Sequence, residues 1–481
     1  MLTSVTVNSL PQLVAPKSKY SKISPDSDNV LRIFLIQTAL GLFNTSGGYK
    51  ANYYFLSSLA KRGHICRSIV LCWENDLLAA GVDYTEERVC FGDESNEVCV
   101  YRFVWGNVEI IGLELERYLK IFPRSSLSKP LKNVEDRLER WLEDKETAAE
   151  YDAYRRFIMK ELTSFRTTHF IFNDSVSLKI ASALPPTITR VFICHACEHL
   201  SFGPYGGVPG FGSTSSQTEL QWLKEIEGVW AVSNAIKDYI KAYGKELRAT
   251  HLPLHPAIFG EPPFKRYHNF DSPYVLAINP GSVKGYVIFK ELAEKMSDVS
   301  FAAVKSWSLS EYQLDELGKV PNIKIMPMFK NMDELWPLAK VLLVPSIWYE
   351  AFGLVVVEAM LRGIPVICSD VGGLTEAKCG VKFGTIHVNV ISGERETDQD
   401  VIEKMGIYKV PPQNIEPWVQ TLRSLLNDRD TYEQISQECR DKSIKYIQSI
   451  DSKVYEKWLS DLRRYSVQIG SQSIVVPGFL S

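Results

Sequence analysis

The sequence predicts an α/β protein made of two doubly wound domains in tandem. Three observations predict it. Short apolar strand candidates alternate with helical patterns from residue 29 onward. A break rich in proline, with Pro253, Pro256, Pro262 and Pro263, interrupts that alternation. The alternation then restarts at Tyr274. A β-loop-α-β order implies parallel strands joined by right-handed crossovers. Two such sheets leave a cleft between them, and ligands bind beyond the carboxyl ends of the strands.

The first strand is expected at Leu31–Gln37, followed by the loop Thr45-Ser46-Gly47-Gly48. A helix is expected from about Tyr49, with Tyr53, Leu56 and Ala60 on one face and Gly63 as its stop. Further strands are expected at Ile65–Cys72, Cys99–Trp105, Phe170–Asn173, Arg190–Cys194 and Gly228–Val232. Residues 129–166 read as a long charged helical stretch, with Leu138, Trp141 and Leu142 at helical spacing. Most of its charge is a solvated face. Pro253–Pro263 reads as the linker between domains. The second series has strands at Tyr274–Asn279, Phe301–Lys305, Asn322–Met328, Lys340–Pro345 and Pro365–Ser369. Val381–Gln413 reads as a long loop, and helices follow at about 414–427, 430–447 and 452–465.

At 481 residues the chain can hold two or three full cores. A formal charge of −3 gives no global field toward nucleic acid or an anionic membrane. Apolar runs fall short of the ~20 residues that span a bilayer. Residues 1–28 are polar, lack a continuous apolar segment, and read as a disordered leader rather than a secretory signal. The nine Cys are scattered through core segments, as at Cys66, Cys72 and Cys368, which fits a reducing, cytoplasmic setting.

Residues 341–376 carry the most information. Val341–Pro345 is a buried strand, Ser346–Phe352 the loop at its carboxyl end, and a helix begins at about Gly353. The first N–H groups of a helix lack intrahelical partners, and its dipole favours negative charge. A diphosphate suits that position, and Gly353 lets it approach the backbone. Leu354–Leu361 is apolar nearly all round, with Glu358 its lone charge. Glu358 has two readings: it binds ribose hydroxyls, or it pairs with Arg362 four residues on. Glu350 either caps the helix or binds a ligand hydroxyl.

Glu350-Ala-Phe-Gly-Leu-Val-Val-Val-Glu358 resembles the Glu–seven residues–Glu motif of retaining glycosyltransferases. With Pro345-Ser346 before it, and Gly363-Ile-Pro-Val, Asp370-Val-Gly-Gly and Glu376 after it, the segment resembles glycosyltransferase family 4. That resemblance implies the GT-B fold, two Rossmann-like domains facing across a cleft. It implies that Glu350 touches the donor sugar, that the Phe352-Gly353-Leu354 backbone holds the diphosphate, and that Glu358 holds the ribose. Lys284, after Tyr274–Asn279, matches a family cation on the phosphates. Asn279 stands where many members carry a second cation, an Arg. Gly47-Gly48 resembles the family's glycine loop facing the donor phosphates, and His195 a cleft histidine near the reacting sugar.

The implied layout is an acceptor-side domain over 29–256 and a nucleotide-sugar domain over 257–450. A terminal helix and tail, 451–481, cross back to the first domain. The implied reaction moves a hexosyl group from a nucleoside diphosphate sugar, UDP-sugar favoured, to an acceptor hydroxyl on a small molecule or glycan, with retention and without a bound metal or other cofactor. The alternatives are a sugar phosphorylase, an NDP-sugar epimerase, or an inactive nucleotide-sugar-binding protein. His195, Glu350 and Lys284 are the implied catalytic set; Gly47, Gly48, Asn279, Phe352, Gly353, Leu354 and Glu358 are the implied donor-binding set.

Three other features weigh less. Cys194-His195-Ala196-Cys197-Glu198-His199 has the residue types of a zinc site, but a six-residue run is strained as a tetrahedral cage. The acidic triplet Asp398-Gln-Asp400 resembles one found in metal-dependent transferases of another fold, and reads as chance. The glycine-rich segment from Gly203 is either a plain surface loop or a lid, with Phe202, Tyr205 and Phe211 available for stacking.

Overall fold

The computed structural model describes residues 30–37, 46–126, 129–208, 213–329 and 331–472. The leader, Thr45, Phe211 and the tail beyond 472 lie outside the described residues.

Apolar runs of four to eight residues become strands because their side chains are buried on both faces by flanking helices. β1 (Arg32–Ile36), β2 (Ile65–Cys72), β3 (Thr85–Cys90), β4 (Glu97–Trp105) and β5 (Val108–Glu114) share a sheet with β6 (His169–Phe172), β7 (Thr189–Cys194), β8 (Gly228–Ala231) and β9 (Thr250–His251). The order is β3-β4-β5-β2-β1-β6-β7-β8-β9. β1 pairs in parallel with both β2 and β6, so the strand order reverses beside it. A crevice opens at the carboxyl end of a strand at such a reversal.

Three strands of this sheet escaped sequence reading, among them β9, which is only two residues long. β3 is charged and almost wholly exposed, so it has no apolar alternation to find. It pairs antiparallel with β4 as an edge. β5 is the return arm of a hairpin through Gly106-Asn107, which have φ of 55° and 66°. Positive φ at both central residues is the two-residue turn that matches strand twist, and Gly-Asn is a readable signal for it. Residues 129–166 are also not one helix. The chain breaks between Lys132–Leu142 and Ala149–Ser164, and Asp144 turns left-handed at φ 57°.

The second sheet holds β10 (Tyr274–Ile278), β11 (Phe301–Val304), β12 (Ile323–Met326), β13 (Ala339–Val344), β14 (Val366–Ser369) and β15 (Thr385–Ile386). Its order is β12-β11-β10-β13-β14-β15, all parallel. Val381–Gln413 is more ordered than a long loop. It supplies β15, the helix Gln399–Met405 and a bridge between Arg395 and Tyr408.

Three helices close the chain: Glu416–Asn427, Arg429–Gln448 and Val454–Gln472. The last follows the second sheet in sequence but packs on the first. Leu459 is fully buried, and its carbonyl meets His169 Nε2 at 2.9 Å. The Tyr455 hydroxyl donates to the Pro253 carbonyl at 2.9 Å, and the Trp458 ring lies against Gly228. Among the described residues no helix is long and apolar enough to cross a membrane.

Candidate functional site

The loop after β13 presents Glu350. Ser346 and Ile347 fasten that loop to Val283, whose carbonyl accepts from Ser346 Oγ at 3.2 Å and from Ile347 N at 3.1 Å. The same contact holds the 281–285 turn in place. Gly285 has φ 86°, and a Cβ there would stand 1.9 Å from the Pro345 carbonyl oxygen. Only glycine lets the two loops approach so closely. Lys284 Nζ and Glu350 Oε1 consequently meet at 2.5 Å, with both side chains mostly buried.

Gly353 sits at φ 102°, caps no N–H with a side chain, and starts the helix Leu354–Leu361. The Leu354 and Val355 N–H groups have no hydrogen-bond partner among the described residues. They are unsatisfied donors at the positive end of a helix dipole, beside an ammonium. The Glu358 carboxylate, one turn in, makes no hydrogen bond or ion pair among the described residues. The expected alternative partner is engaged elsewhere. Arg362 donates to the Glu358 backbone carbonyl at 3.0 Å and pairs with Asp333 at 3.3 Å. Glu358 faces the cleft instead. Burial, with the nearby Glu261 and Glu358 carboxylates, pushes the Tyr54 hydroxyl of the opposite wall upward.

That opposite wall comes from the first sheet. Gly47 and Gly48 are not in a loop. They are the first two residues of the helix Gly47–Lys61, capped by Ser46, whose hydroxyl accepts from Tyr49 N at 3.4 Å. Tertiary burial selects Phe55, Leu56 and Leu59 as the packed face, leaving Tyr53 and Ala60 half-buried. A Cβ at Gly47 would stand 2.6 Å from Leu354 Cδ1, so two helix N-termini meet across the cleft. A Cβ at Gly48 would stand 3.3 Å from His195 Cγ. Burial, aided by His199, pushes the His195 imidazole down to about 3, so it is neutral at physiological pH. Its Nε2 lies 2.7 Å from Asn52 Oδ1, and Asn52 Nδ2 donates to Gln37 Oε1 at 2.6 Å.

The structure thus brings His195, Lys284, Glu350, Phe352, Gly353, Leu354, Glu358, Gly47 and Gly48 around one crevice. Asn279 differs. It adopts φ 58°, and its Oδ1 accepts from Ser308 N at 3.0 Å and Ser308 Oγ at 2.8 Å. Its side-chain oxygen fastens the loop after β10 to the loop after β11. Lys305, on the same side of the sheet, reaches Glu311 at 3.4 Å. Sequence reading missed Gln37, Asn52 and Tyr54. The signal for Asn52 was present: a polar residue on the buried face of a helix, one turn past Gly48.

The lesser features resolve locally. Cys194 Sγ points to the Ala196 carbonyl, Cys197 to Glu198, and His195 to Asn52, so the six-residue run diverges. Among the described residues no group of three or more His, Cys, Asp or Glu could hold a metal ion. Asp398 caps the helix Gln399–Met405, accepting from Asp400 N at 2.9 Å. Phe202 and Tyr205 are not free stacking platforms. Both are buried, and Tyr205 donates to the Ile391 carbonyl at 2.7 Å while its ring lies 4.7 Å from that of Trp348. Trp348 in turn donates to the buried Glu198 carboxylate, and Glu376 accepts from Asn234 N at 2.9 Å. These contacts join the two halves beside the crevice.

Comparison with solved structures identifies the architecture. Sucrose-phosphate synthase from Thermosynechococcus elongatus superposes with a TM-score of 0.58 at 15% identity, over 92% of this chain and 98% of that one. The catalytic domain of starch synthase IV from Arabidopsis thaliana, bound to ADP and acarbose, gives 0.57 at 13%, over 91% and 100%. Anabaena HepE in complex with UDP and glucose gives 0.51 at 14%, over 92% and 99%. The fold is GT-B. At the level of sequence, residues 310–386 match the family model described as glycosyl transferases group 1. That segment includes Glu350, Gly353 and Glu358 of the GT-B cleft. An uncharacterized 42.6 kDa protein in the cps region of Klebsiella pneumoniae is 30% identical over 93 residues, 19% of this chain. The match spans a quarter (25%) of that curated relative.

Proposed function

We propose that the protein is a retaining glycosyltransferase that moves a hexosyl group from a nucleoside diphosphate sugar to an acceptor hydroxyl. The observation that carries the reading is the crevice itself. Unpartnered N–H groups at Leu354 and Val355, the Lys284 ammonium and two carboxylates, Glu350 and Glu358, converge opposite Gly47, Gly48 and His195. In this reading the diphosphate lies on the N-terminus of Leu354–Leu361, beside Lys284. Helix dipole and ammonium stabilise the negative charge that develops as the glycosidic bond breaks. Glu358 accepts from ribose hydroxyls and Glu350 from the sugar. The acceptor hydroxyl attacks from the face the diphosphate leaves, and the leaving phosphate takes its proton. Positioning and charge carry the rate, with no protein base.

The segment match to glycosyl transferases group 1 supports the reaction class. The UDP in the Anabaena HepE complex supports UDP-sugar as the first donor to test. Donor and metal requirement are tested together. Thermal shifts with UDP, GDP, ADP and dTDP, with and without EDTA, are compared for wild type and Glu358→Ala. The reading expects one nucleotide to raise Tm, EDTA to leave the rise intact, and the variant to lose it. Glu358→Ala should fold normally, because no other side chain among the described residues bonds its carboxylate. Full transferase activity in Glu358→Ala would overturn the assignment.

A further inference from the structure

Resting on that reading, we propose that Asn52 is a positioning residue that fixes which ring nitrogen His195 offers to the substrate. His195 reaches the crevice beside Gly48, and among the described residues the only hydrogen bond of its ring is Nε2 to Asn52 Oδ1 at 2.7 Å. Asn52 is itself held. Its Nδ2 donates to Gln37 Oε1 at 2.6 Å, and both side chains are buried, at 2% and 3% exposure. An amide whose nitrogen donates to Gln37 turns its oxygen toward the histidine. An oxygen can only accept, so Nε2 carries the proton. The neutral ring has one proton, and Nδ1 is left with a lone pair and no partner among the described residues. Nδ1 then accepts from a donor-sugar hydroxyl, and His195 works as a fixed acceptor rather than as an acid or base. Asn52 and Gln37 touch no substrate in this arrangement.

The opposite arrangement is chemically distinct. Turning both amides over would make Asn52 donate to Nε2, move the ring proton to Nδ1, and reverse the hydrogen bond offered to the sugar. Gln37 Nε2 is a buried donor without a partner among the described residues, so Gln37 can donate to a carboxylate placed at position 52. Asn52→Asp consequently tells the two arrangements apart. A carboxylate keeps accepting from Nε2–H, and Gln37 turns to donate to it. In the opposite arrangement the carboxylate would face a ring nitrogen lone pair.

The test uses full-length protein labelled with ¹⁵N-histidine, with His195 assigned through His195→Gln. Multiple-bond spectra of the ligand-free protein show which ring nitrogen is protonated, and Nε2 is the one coupled to both carbon-bound ring protons. The proposal expects the proton on Nε2 in wild type and a mixture of tautomers in Asn52→Leu. With donor and acceptor, Asn52→Leu should lower kcat roughly tenfold or more with little change in KM for the nucleotide sugar. Asn52→Asp should keep most of kcat at pH 8 and gain a new acidic limb, as its carboxylate helps His195 take a second proton. Protonation at Nδ1 in wild type, or Asn52→Asp as slow as Asn52→Leu at pH 8, would overturn the proposal. Should Asn52→Leu fail to fold, Gln37→Leu replaces it, since it frees the Asn52 amide without touching the histidine; an unmixed Nε2–H signal and unchanged kcat there would overturn it. The spectra decide the tautomer even if no donor is turned over, so failure here is separable from failure of the transferase reading.

Discussion

Removing Glu350 should tighten the binding of a free nucleoside diphosphate while abolishing transfer. In the ligand-free crevice Lys284 is held by Glu350 at 2.5 Å, with side-chain exposures of 26% and 13%. A diphosphate arriving at the Leu354–Leu361 N-terminus must draw the ammonium away from that carboxylate, so the ion pair competes with the ligand. Exposed pairs contribute about 0.2–1 kcal/mol, and breaking a buried one costs about 3–5 kcal/mol. This pair is partly buried, and its carboxylate keeps some solvation when released. A competition of about 1 kcal/mol is reasonable, which is roughly fivefold in Kd. Glu350→Gln keeps the shape, and the backbone bond from Gly373 N to the Glu350 carbonyl at 2.7 Å is untouched. Calorimetric titration with the preferred nucleotide, in EDTA and at low and high salt, should give a Kd lowered about fivefold, with a steeper salt dependence because the lysine is now free. Affinity for the intact nucleotide sugar should not improve, because the sugar loses its Glu350 contact. A Glu350→Gln protein that binds the free diphosphate equally or more weakly would refute the placement of the phosphates beside Lys284.

Three further outcomes follow from the same geometry. Gly47→Val should fold but lose on the order of a hundredfold in kcat/KM, because its Cβ would enter the space 2.6 Å from Leu354 Cδ1 and hold the walls apart; steady-state kinetics beside an unchanged Tm checks it. Leu459→Ala should cost about 2–5 kcal/mol in urea unfolding, since a fully buried leucine anchors the last helix to the first sheet. Burial pushes His169 down to about 4, so the unfolded chain, with histidine near 6.5, takes up protons first. Its contribution is complete above about pH 6.5 and is lost as pH falls toward 4. His169→Asn should flatten the pH dependence of unfolding free energy across that window by up to about 1.4 kcal/mol per pH unit, measured by urea midpoints from pH 4.5 to 7.5.

The sequence by itself determined the parts whose signal is local. Buried parallel strands are continuous apolar runs, so β2, β10 and β14 could be placed to within a residue or two. The strand-loop-helix around Glu350 and Glu358 was legible because spacing, glycine and a nearly all-apolar helix agree in one stretch. Edge strand β3 was not legible, because charge rather than burial defines it. Only the tertiary structure decided relations between distant residues. Glu358 and Arg362 have ideal helical spacing for a pair, yet Asp333 holds the arginine. Asn279, in the expected donor-binding set, has its side-chain oxygen bonded to Ser308 of the next loop. Tyr205, which by sequence belongs to either a plain surface loop or a lid, is buried between the halves. Gly47 meets Leu354, and Gln37 orders Asn52 and His195, across gaps of chain no periodicity can bridge. Burial and hydrogen bonding are decided by whatever the fold brings within a few ångströms, while propensity and pattern report only what a segment does on its own.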